Sequence, residues 1–127
     1  MIVADTSALM AVILREARVD ECIAALAVQD VILMSAGTLV ETSIVALRRG
    51  VEIEMAQLLE SLPIDVVSVT PDVARLCATA YSKWGKGIHK ASLNFGDCFS
   101  YALAKEHDCG LLFVGKDFTQ TDVRRVL

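Results

Sequence analysis

The fold is decided by residues 94–117, which read NFGDCFSYALAKEHDCGLLFVGKD. This stretch predicts a helix that begins at Asn94 or Gly96, continues to about His107 and is apolar on nearly every side. Gly110 ends the helix, and the LLFV that follows it predicts a short buried strand. An apolar helix joined to a buried strand is typical of an α/β protein whose helices cover a central sheet.

The rest of the chain repeats this alternation. Apolar runs predict three more strands, at Met1–Ala4, Val31–Met34 and Ile64–Val67. Periodicity and turn residues predict helices over residues 8–14, 17–28, 36–49, 52–62 and 71–83, a loop over 84–94, and a last turn with a short edge strand over 119–127. Such alternation implies right-handed crossovers and parallel pairing. We therefore predict one domain over residues 1–127, an α/β/α sandwich of three layers around a mostly parallel sheet.

Local signals refine these helices. Thr6 and Ser7 offer capping oxygens to the first helix, and Thr70-Pro71-Asp72 is a strong helix start. In helix 36–49, one apolar stripe recurs at helical spacing and consists of Val40, Ile44, Leu47 and Val51.

Composition limits the class of protein. With 54% hydrophobic and 22% charged residues, the chain has ample material for a core and is not of the disordered class. The net charge of −4 argues against a broad basic face, but an acidic excess in one metal-loaded pocket remains compatible with nucleic acid. Four cysteines without a C-x-x-C pair indicate a reduced, cytoplasmic protein. The apolar run Ala8–Leu14 is too short to span a bilayer, so no membrane contact is expected.

Two acids lie where parallel α/β proteins form their sites, at the carboxyl ends of strands. Asp5 directly follows the first strand, and Asp117 lies just beyond the fourth. Asp97 is in the first turn of an apolar helix, and Glu41 lies about one turn into helix 36–49. Converging carboxylates repel one another unless a cation neutralises them. An all-oxygen set without Cys or His favours Mg²⁺ or Mn²⁺ over zinc, and paired metals support attack of water on a phosphodiester.

Each acid also has a structural interpretation. Asp5 could cap the first helix, and Asp97 could stabilise a helix N-terminus through the helix dipole. Glu41 could be an ordinary helix-surface acid, and Asp117 could be a turn residue. The residues alone therefore predict a parallel α/β protein with acids at strand ends, and they leave both interpretations open.

Three blocks of the sequence resemble a known family. MIVADTSAL resembles the start of PIN-domain proteins, where an Asp ends the first strand and a Ser or Thr follows. SAGTLVETSIVALRRG is similar to the family helix that carries its Glu, with a small polar residue, here Thr38, one turn earlier. LNFGDCFSYALAKEHDCGLLFVGKDFTQTDV is similar to the most specific block of the family. The blocks stand in the family's order over essentially the whole chain, and they resemble the VapC-type ribonuclease toxins.

The resemblance implies a role for each acid. Asp5, Glu41, Asp97 and Asp117 correspond to the catalytic quartet of the family. Asp5 and Asp97 would be the principal ligands of Mg²⁺, or of Mn²⁺ in its place. Asp117 and Glu41 would complete the shell directly or through water and help to position the attacking hydroxide.

Neighbouring residues are expected to support or modify this site. Thr6, Ser7 or Thr38 would orient the ligands through hydrogen bonds. Asp122 is expected to be structural, as a helix cap. Lys116 departs from the family, where Asn or Asp often precedes the last acid. A cation there would contact phosphate or weaken a second metal site, so occupancy by one metal or by two stays open.

A basic segment over residues 83–90, KWGKGIHK, groups Lys83, Lys86 and Lys90 around Trp84. In a functional interpretation, these side chains contact RNA phosphates and stack on a base. In a structural interpretation, the segment is a solvated loop whose Trp packs on the core.

The resemblance implies a Mg²⁺-dependent endoribonuclease toxin that leaves 5′-phosphate and 3′-hydroxyl ends and inhibits translation. It also implies three partners: an RNA substrate, a second copy in a homodimer, and a VapB-type antitoxin that blocks the acidic pocket with basic side chains. The alternative is a catalytically silent PIN-like module that binds RNA or protein. A response-regulator receiver is disfavoured because Asp5 is single and Asp65 begins its strand.

Overall fold

The computed structural model describes all 127 residues as four strands and six helices. Apart from the short edge strand expected in the tail, each predicted strand and helix is present, with ends that shift by a few residues. In chain order the elements are β1 (Ile2–Ala4), α1 (Thr6–Ile13), α2 (Val19–Ala27), β2 (Ile32–Ser35), α3 (Ala36–Arg48), α4 (Glu52–Ser61), β3 (Ile64–Val67), α5 (Pro71–Trp84), α6 (Phe95–Glu106) and β4 (Gly110–Leu112).

The sheet has the strand order β3-β2-β1-β4, and all three pairings are parallel. In register, Val3 lies opposite Leu33 of β2 and Leu111 of β4. All four strands therefore end at one edge of the sheet, with β1 at its centre. The predicted α/β class with a parallel sheet is confirmed.

The alternation of side chains along β1 separates two hydrophobic clusters. Val3 packs with Leu33, Leu111 and the apolar face of α6 on one side of the sheet. Ile2 and Ala4 pack on the other side with α1, α2 and Met55 of α4. Because β1 is buried on both faces, helices must cover both, which produces the three layers.

The apolar stripe of α3 does not pack on the core, as the simplest interpretation of its periodicity would suggest. The stripe faces solvent, with Val40, Ile44 and Leu47 exposed by 59%, 51% and 64%. The buried face of α3 instead carries the small side chains of Thr38, Thr42 and Ala46. Periodicity identifies an apolar face but does not say which face meets the core.

Close packing between α3 and α6 explains this choice. A Cβ on Gly37 of α3 would overlap the ring of Phe99 in α6, so only a residue without a side chain fits there. In the same way, a Cβ on Gly96 of α6 would overlap the carboxylate of Glu41 in α3. The two helices therefore approach through glycines and short polar residues.

Two local predictions are wrong. The first helix is capped by the side chain of Asp5, which accepts from the backbone N–H of Ser7, so Thr6 and Ser7 belong to the helix itself. The expected edge strand in the tail is reduced to a single bridge between Leu111 and Arg125, because the chain turns repeatedly before it. No helix combines the length and the hydropathy that crossing a bilayer would require.

Candidate metal centre

Asp5 is the centre of the site because it directly follows β1, the strand in the middle of the sheet. The residue is only 4% exposed, and its carboxylate accepts hydrogen bonds from other residues of the protein. Oδ2 accepts from the backbone N–H and the hydroxyl of Ser7, at 3.1 and 2.7 Å. Oδ1 accepts from the hydroxyl of Ser100 at 2.7 Å. Ser7 also accepts from the backbone N–H of Val114, so it connects Asp5 to the chain that leaves β4.

Ser100 is a functional residue that sequence reasoning missed. It lies in α6, is fully buried and is in hydrogen-bond contact with Thr38 of α3 at 3.1 Å. Thr38 therefore supports Asp5 through Ser100 rather than directly. A signal was available, since Ser100 is a polar residue one turn after Asp97 in a helix that is otherwise apolar there.

Glu41 reaches the same region from α3. Its Oε1 accepts from the hydroxyl of Thr6 at 2.7 Å, and Thr6 is in turn bonded to Thr42 at 2.8 Å. Because Thr6 gives its proton to Glu41, Thr42 must be the donor in the second bond. Burial raises the pKa of the Glu41 carboxyl, and the negative charges of Asp5 and Asp117 raise it further.

Asp97 combines both of the roles that the sequence left open. It forms a capping box at the start of α6: its N–H donates to Asn94 Oδ1 at 2.8 Å, and its Oδ2 accepts from the N–H of Asn94 at 3.0 Å. Burial, opposed in part by that hydrogen bond, raises its pKa to about 7, and the charges of Asp5, Asp117 and Glu41 contribute. Asp97 is therefore a cap and a member of the acidic cluster.

Asp117 is the exposed member of the cluster. It lies in the loop after β4, and its side chain makes no hydrogen bond within the protein, although its charge acts on Glu41 and Asp97. Lys116 is also exposed, and only its carbonyl is bonded, to Thr119. The four predicted acids thus lie close enough to interact, at the carboxyl edge of the sheet.

The donor set fits a hard divalent cation by its chemistry. Every side chain of the cluster offers oxygen, and none offers sulfur or nitrogen. Oδ1 of Asp97, Oε2 of Glu41 and both oxygens of Asp117 are free of hydrogen bonds from the protein. No three acidic, cysteine or histidine side chains yet surround one point closely enough to hold an ion.

The basic segment, residues 83–90, is attached to the core of the protein through Trp84. Trp84 is half-buried against the core, and its indole N–H donates to Tyr101 Oη at 2.8 Å. Lys83 lies over the same ring, 4.9 Å from its centroid, while Lys86 and Lys90 are exposed. RNA contact by this segment stays a prediction.

Asp122 is structural, but it is not a helix cap. Its carboxylate accepts from the hydroxyl of Tyr101 at 2.5 Å and from the amine of Lys105 at 3.2 Å, both in α6. The residue therefore ties the tail to α6 through side chains, because no helix follows it in the chain.

Comparison with known proteins agrees with this fold and its site. The PIN domain family matches residues 2–124. Ribonuclease VapC30 of Mycobacterium tuberculosis is 40% identical over 129 residues, which cover 98% of this chain and 97% of that protein. Ribonuclease VapC of Mycolicibacterium smegmatis is 41% identical and covers 98% of each chain.

Among solved structures, VapC20 of Mycobacterium tuberculosis, described as a sarcin-ricin loop cleaving toxin, has the same fold. Its TM-score is 0.80 at 21% identity, over 99% of this chain and 98% of that one. The chain therefore belongs to the PIN-domain family. The VapC type that the three sequence blocks predicted is confirmed by the two VapC relatives of about 40% identity.

Ser100→Ala tests the support of Asp5. The variant removes the donor to a buried carboxylate, so we expect the free energy of unfolding to fall by about 1–3 kcal/mol in denaturant titrations. Ser43→Ala is the matched control, since Ser43 is an exposed serine of α3 that bonds only to the carbonyl of Leu39. Equal stability of the two variants would contradict the role of Ser100.

Asp97→Asn separates the cluster from simple capping. Asn keeps an oxygen for the N–H of Asn94 and deletes one charge, so stability in chelator at pH 8 should be equal or higher. Mg²⁺ should then raise the melting temperature less than it does in the parent protein. The control is Asp20→Asn, in the first turn of α2, where loss of the dipole interaction should cost about 0.3–1 kcal/mol. If Asp97→Asn is less stable in chelator and Mg²⁺ raises its melting temperature as much as that of the parent, then Asp97 acts only as a helix cap.

Proposed function

We propose that this protein is a Mg²⁺-dependent endoribonuclease toxin of a toxin–antitoxin pair that hydrolyses RNA phosphodiesters and inhibits translation. The observation that carries the proposal is the grouping of four carboxylates at the carboxyl edge of the sheet, where burial and the charges of the other three acids raise the pKa of Asp97 to about 7. The similarity to VapC ribonucleases over the whole chain supports the same reaction.

In this proposal, Asp5, Asp97 and Asp117 hold the cation. A bound divalent ion would supply charge neutralisation for the phosphodiester and would make a water molecule more acidic. Ser7 and Ser100 fix both oxygens of Asp5, which keeps its carboxylate from turning into the core. The carboxylate of Asp5 is thus oriented before substrate arrives.

Glu41 is the proposed proton acceptor. Thr6 holds Oε1, while Oε2 lies against Gly96 at the start of α6 and is free of hydrogen bonds. Burial raises the pKa of this carboxyl, which makes it a stronger base than a solvated glutamate. Glu41 can therefore take a proton from the attacking water at Oε2.

The decisive experiment is cleavage of total RNA by purified protein, followed by mapping of the ends. We expect cutting with Mg²⁺ or Mn²⁺, none in excess EDTA, and 5′-phosphate with 3′-hydroxyl products. Asp97→Asn purified in parallel controls for contaminating nuclease and should be inactive. Undiminished cutting in EDTA would rule out the metal mechanism. RNA binding without cutting by the parent would instead indicate the silent PIN-like module.

Lys116→Ala tests whether this exposed cation meets the substrate. The variant should weaken RNA affinity and lower the slope of log affinity against log salt by about 1, with an unchanged melting temperature. Arg49→Ala is the control, because Arg49 is an exposed cation at the end of α3, about two turns beyond Glu41. Unchanged affinity with a lower melting temperature would assign Lys116 to the fold.

An antitoxin and a second copy are the proposed protein partners. A VapB-type antitoxin would insert basic side chains into the acidic cluster. The fold is also similar to that of one chain in the structure of VapBC2 from Rickettsia felis bound to a promoter DNA fragment. The TM-score is 0.68 at 14% identity, over 98% of this chain and 96% of that one. With translation as its target, the enzyme would act in the cytoplasm, where its four free cysteines stay reduced.

The exposed stripe of α3 is the proposed homodimer face. Val40, Ile44 and Leu47 are each more than half exposed along one side of the helix, an arrangement that monomers rarely keep in water. Ile44→Lys should therefore halve the mass measured by light scattering. Ile53→Lys on α4, where the isoleucine is 67% exposed, is the control and should remain a dimer. A monomeric parent protein, or a dimeric Ile44→Lys, would contradict this face.

A further inference from the structure

An apolar groove opens beside the acidic cluster. It lies between α5, the start of α6 and the loop that joins them, and its volume is about 760 Å³. Its lining includes Asn94, the residue that forms the capping box with Asp97. A molecule in the groove would therefore be adjacent to the proposed site of cleavage.

Aromatic rings line this groove. Phe95 is 79% exposed and makes an edge-to-face contact with Phe99, with 5.1 Å between ring centroids. Tyr81 is 37% exposed, and its hydroxyl donates to the carbonyl of Lys86 at 3.2 Å. Phe95 is thus mostly exposed, and its ring has one aromatic contact, to Phe99.

The charge of the lining favours a nucleotide over an apolar protein segment as the occupant of this groove. Lys86 is the only charged side chain in its lining, and none of the four carboxylates belongs to that lining. An apolar protein segment that filled the groove would bring an unpaired ammonium group toward a dry interface, which is unfavourable. A nucleotide presents an aromatic face and a phosphate together, and it matches both the rings and the amine.

We propose that this groove binds the nucleobase next to the cleaved phosphodiester of a single-stranded RNA, stacked on Phe95, with Lys86 at the neighbouring phosphate. The inference rests on the proposed function and adds a base-binding subsite to it. It also gives Lys86 a defined task within the basic segment, whereas Trp84 remains bonded to Tyr101.

The test compares two labelled probes, a uridine 12-mer and the same ribose-phosphate chain without bases. Affinity is measured by fluorescence anisotropy with Mg²⁺, in proteins that all carry Asp117→Asn so that the RNA stays intact. Phe95→Ala should weaken binding of the uridine 12-mer on the order of tenfold and leave the abasic chain unchanged. Phe95→Trp should retain the parent affinity. Lys86→Ala should weaken both probes and lower the salt slope by about 1.

Matched controls make each failure distinct. Ile88→Ala removes an exposed apolar side chain of the adjoining loop and should change neither affinity. Equal affinity of Phe95→Ala and its parent for the uridine 12-mer, or no preference of the parent for it over the abasic chain, overturns the subsite. If the parent still cleaves RNA, the proposed function survives that result. If Phe95→Ala instead lowers the particle mass in light scattering, the groove is an interface between copies, which also overturns the subsite.

Discussion

The hydrogen bonds to the buried carboxylate of Asp5 are the constraint on which the site depends. A carboxylate that is 4% exposed at the centre of a sheet is stable only if donors surround it. Ser7 supplies two donors from α1, and Ser100 supplies one from α6 on the opposite side of the chain's first strand. These bonds fix where α6 starts relative to β1, and hence where Asp97 lies. The same contacts that satisfy the fold therefore assemble the acids.

The approach of α3 to α6 follows from the same geometry. Thr38 reaches Ser100 only because the two helices are close, and Gly37 and Gly96 allow that distance. Gly96 also leaves room for the carboxylate of Glu41, which would otherwise be displaced by a methyl group. Short residues on the buried face of α3 leave its large apolar residues on the outside. One packing arrangement thus produces both the acidic pocket and the apolar face proposed for dimerisation.

Much of this could be predicted from the sequence, because the signals are local. Apolar runs located the four strands, and the rule that sites form at strand ends selected Asp5 and Asp117. The role of Ser100 could not be predicted from periodicity, since it depends on how α6 is rotated against β1. The exposed stripe of α3 was ambiguous for a similar reason, because an apolar face meets either a core or a partner. Asp97 was ambiguous because capping and charge clustering use the same residue type at the same helix position.

The most direct test of the account is where a divalent ion binds. Titration of isotope-labelled protein with Mn²⁺ at substoichiometric concentration broadens the amide signals of nearby residues in two-dimensional NMR spectra. The account predicts early broadening confined to the residues around the cluster, that is Asp5, Glu41, Asp97 and Asp117, and loss of this pattern in Asp97→Asn. Broadening that instead follows exposed acids elsewhere, such as Glu52 and Glu54 in the first turn of α4, would contradict a metal centre at the carboxyl edge of the sheet.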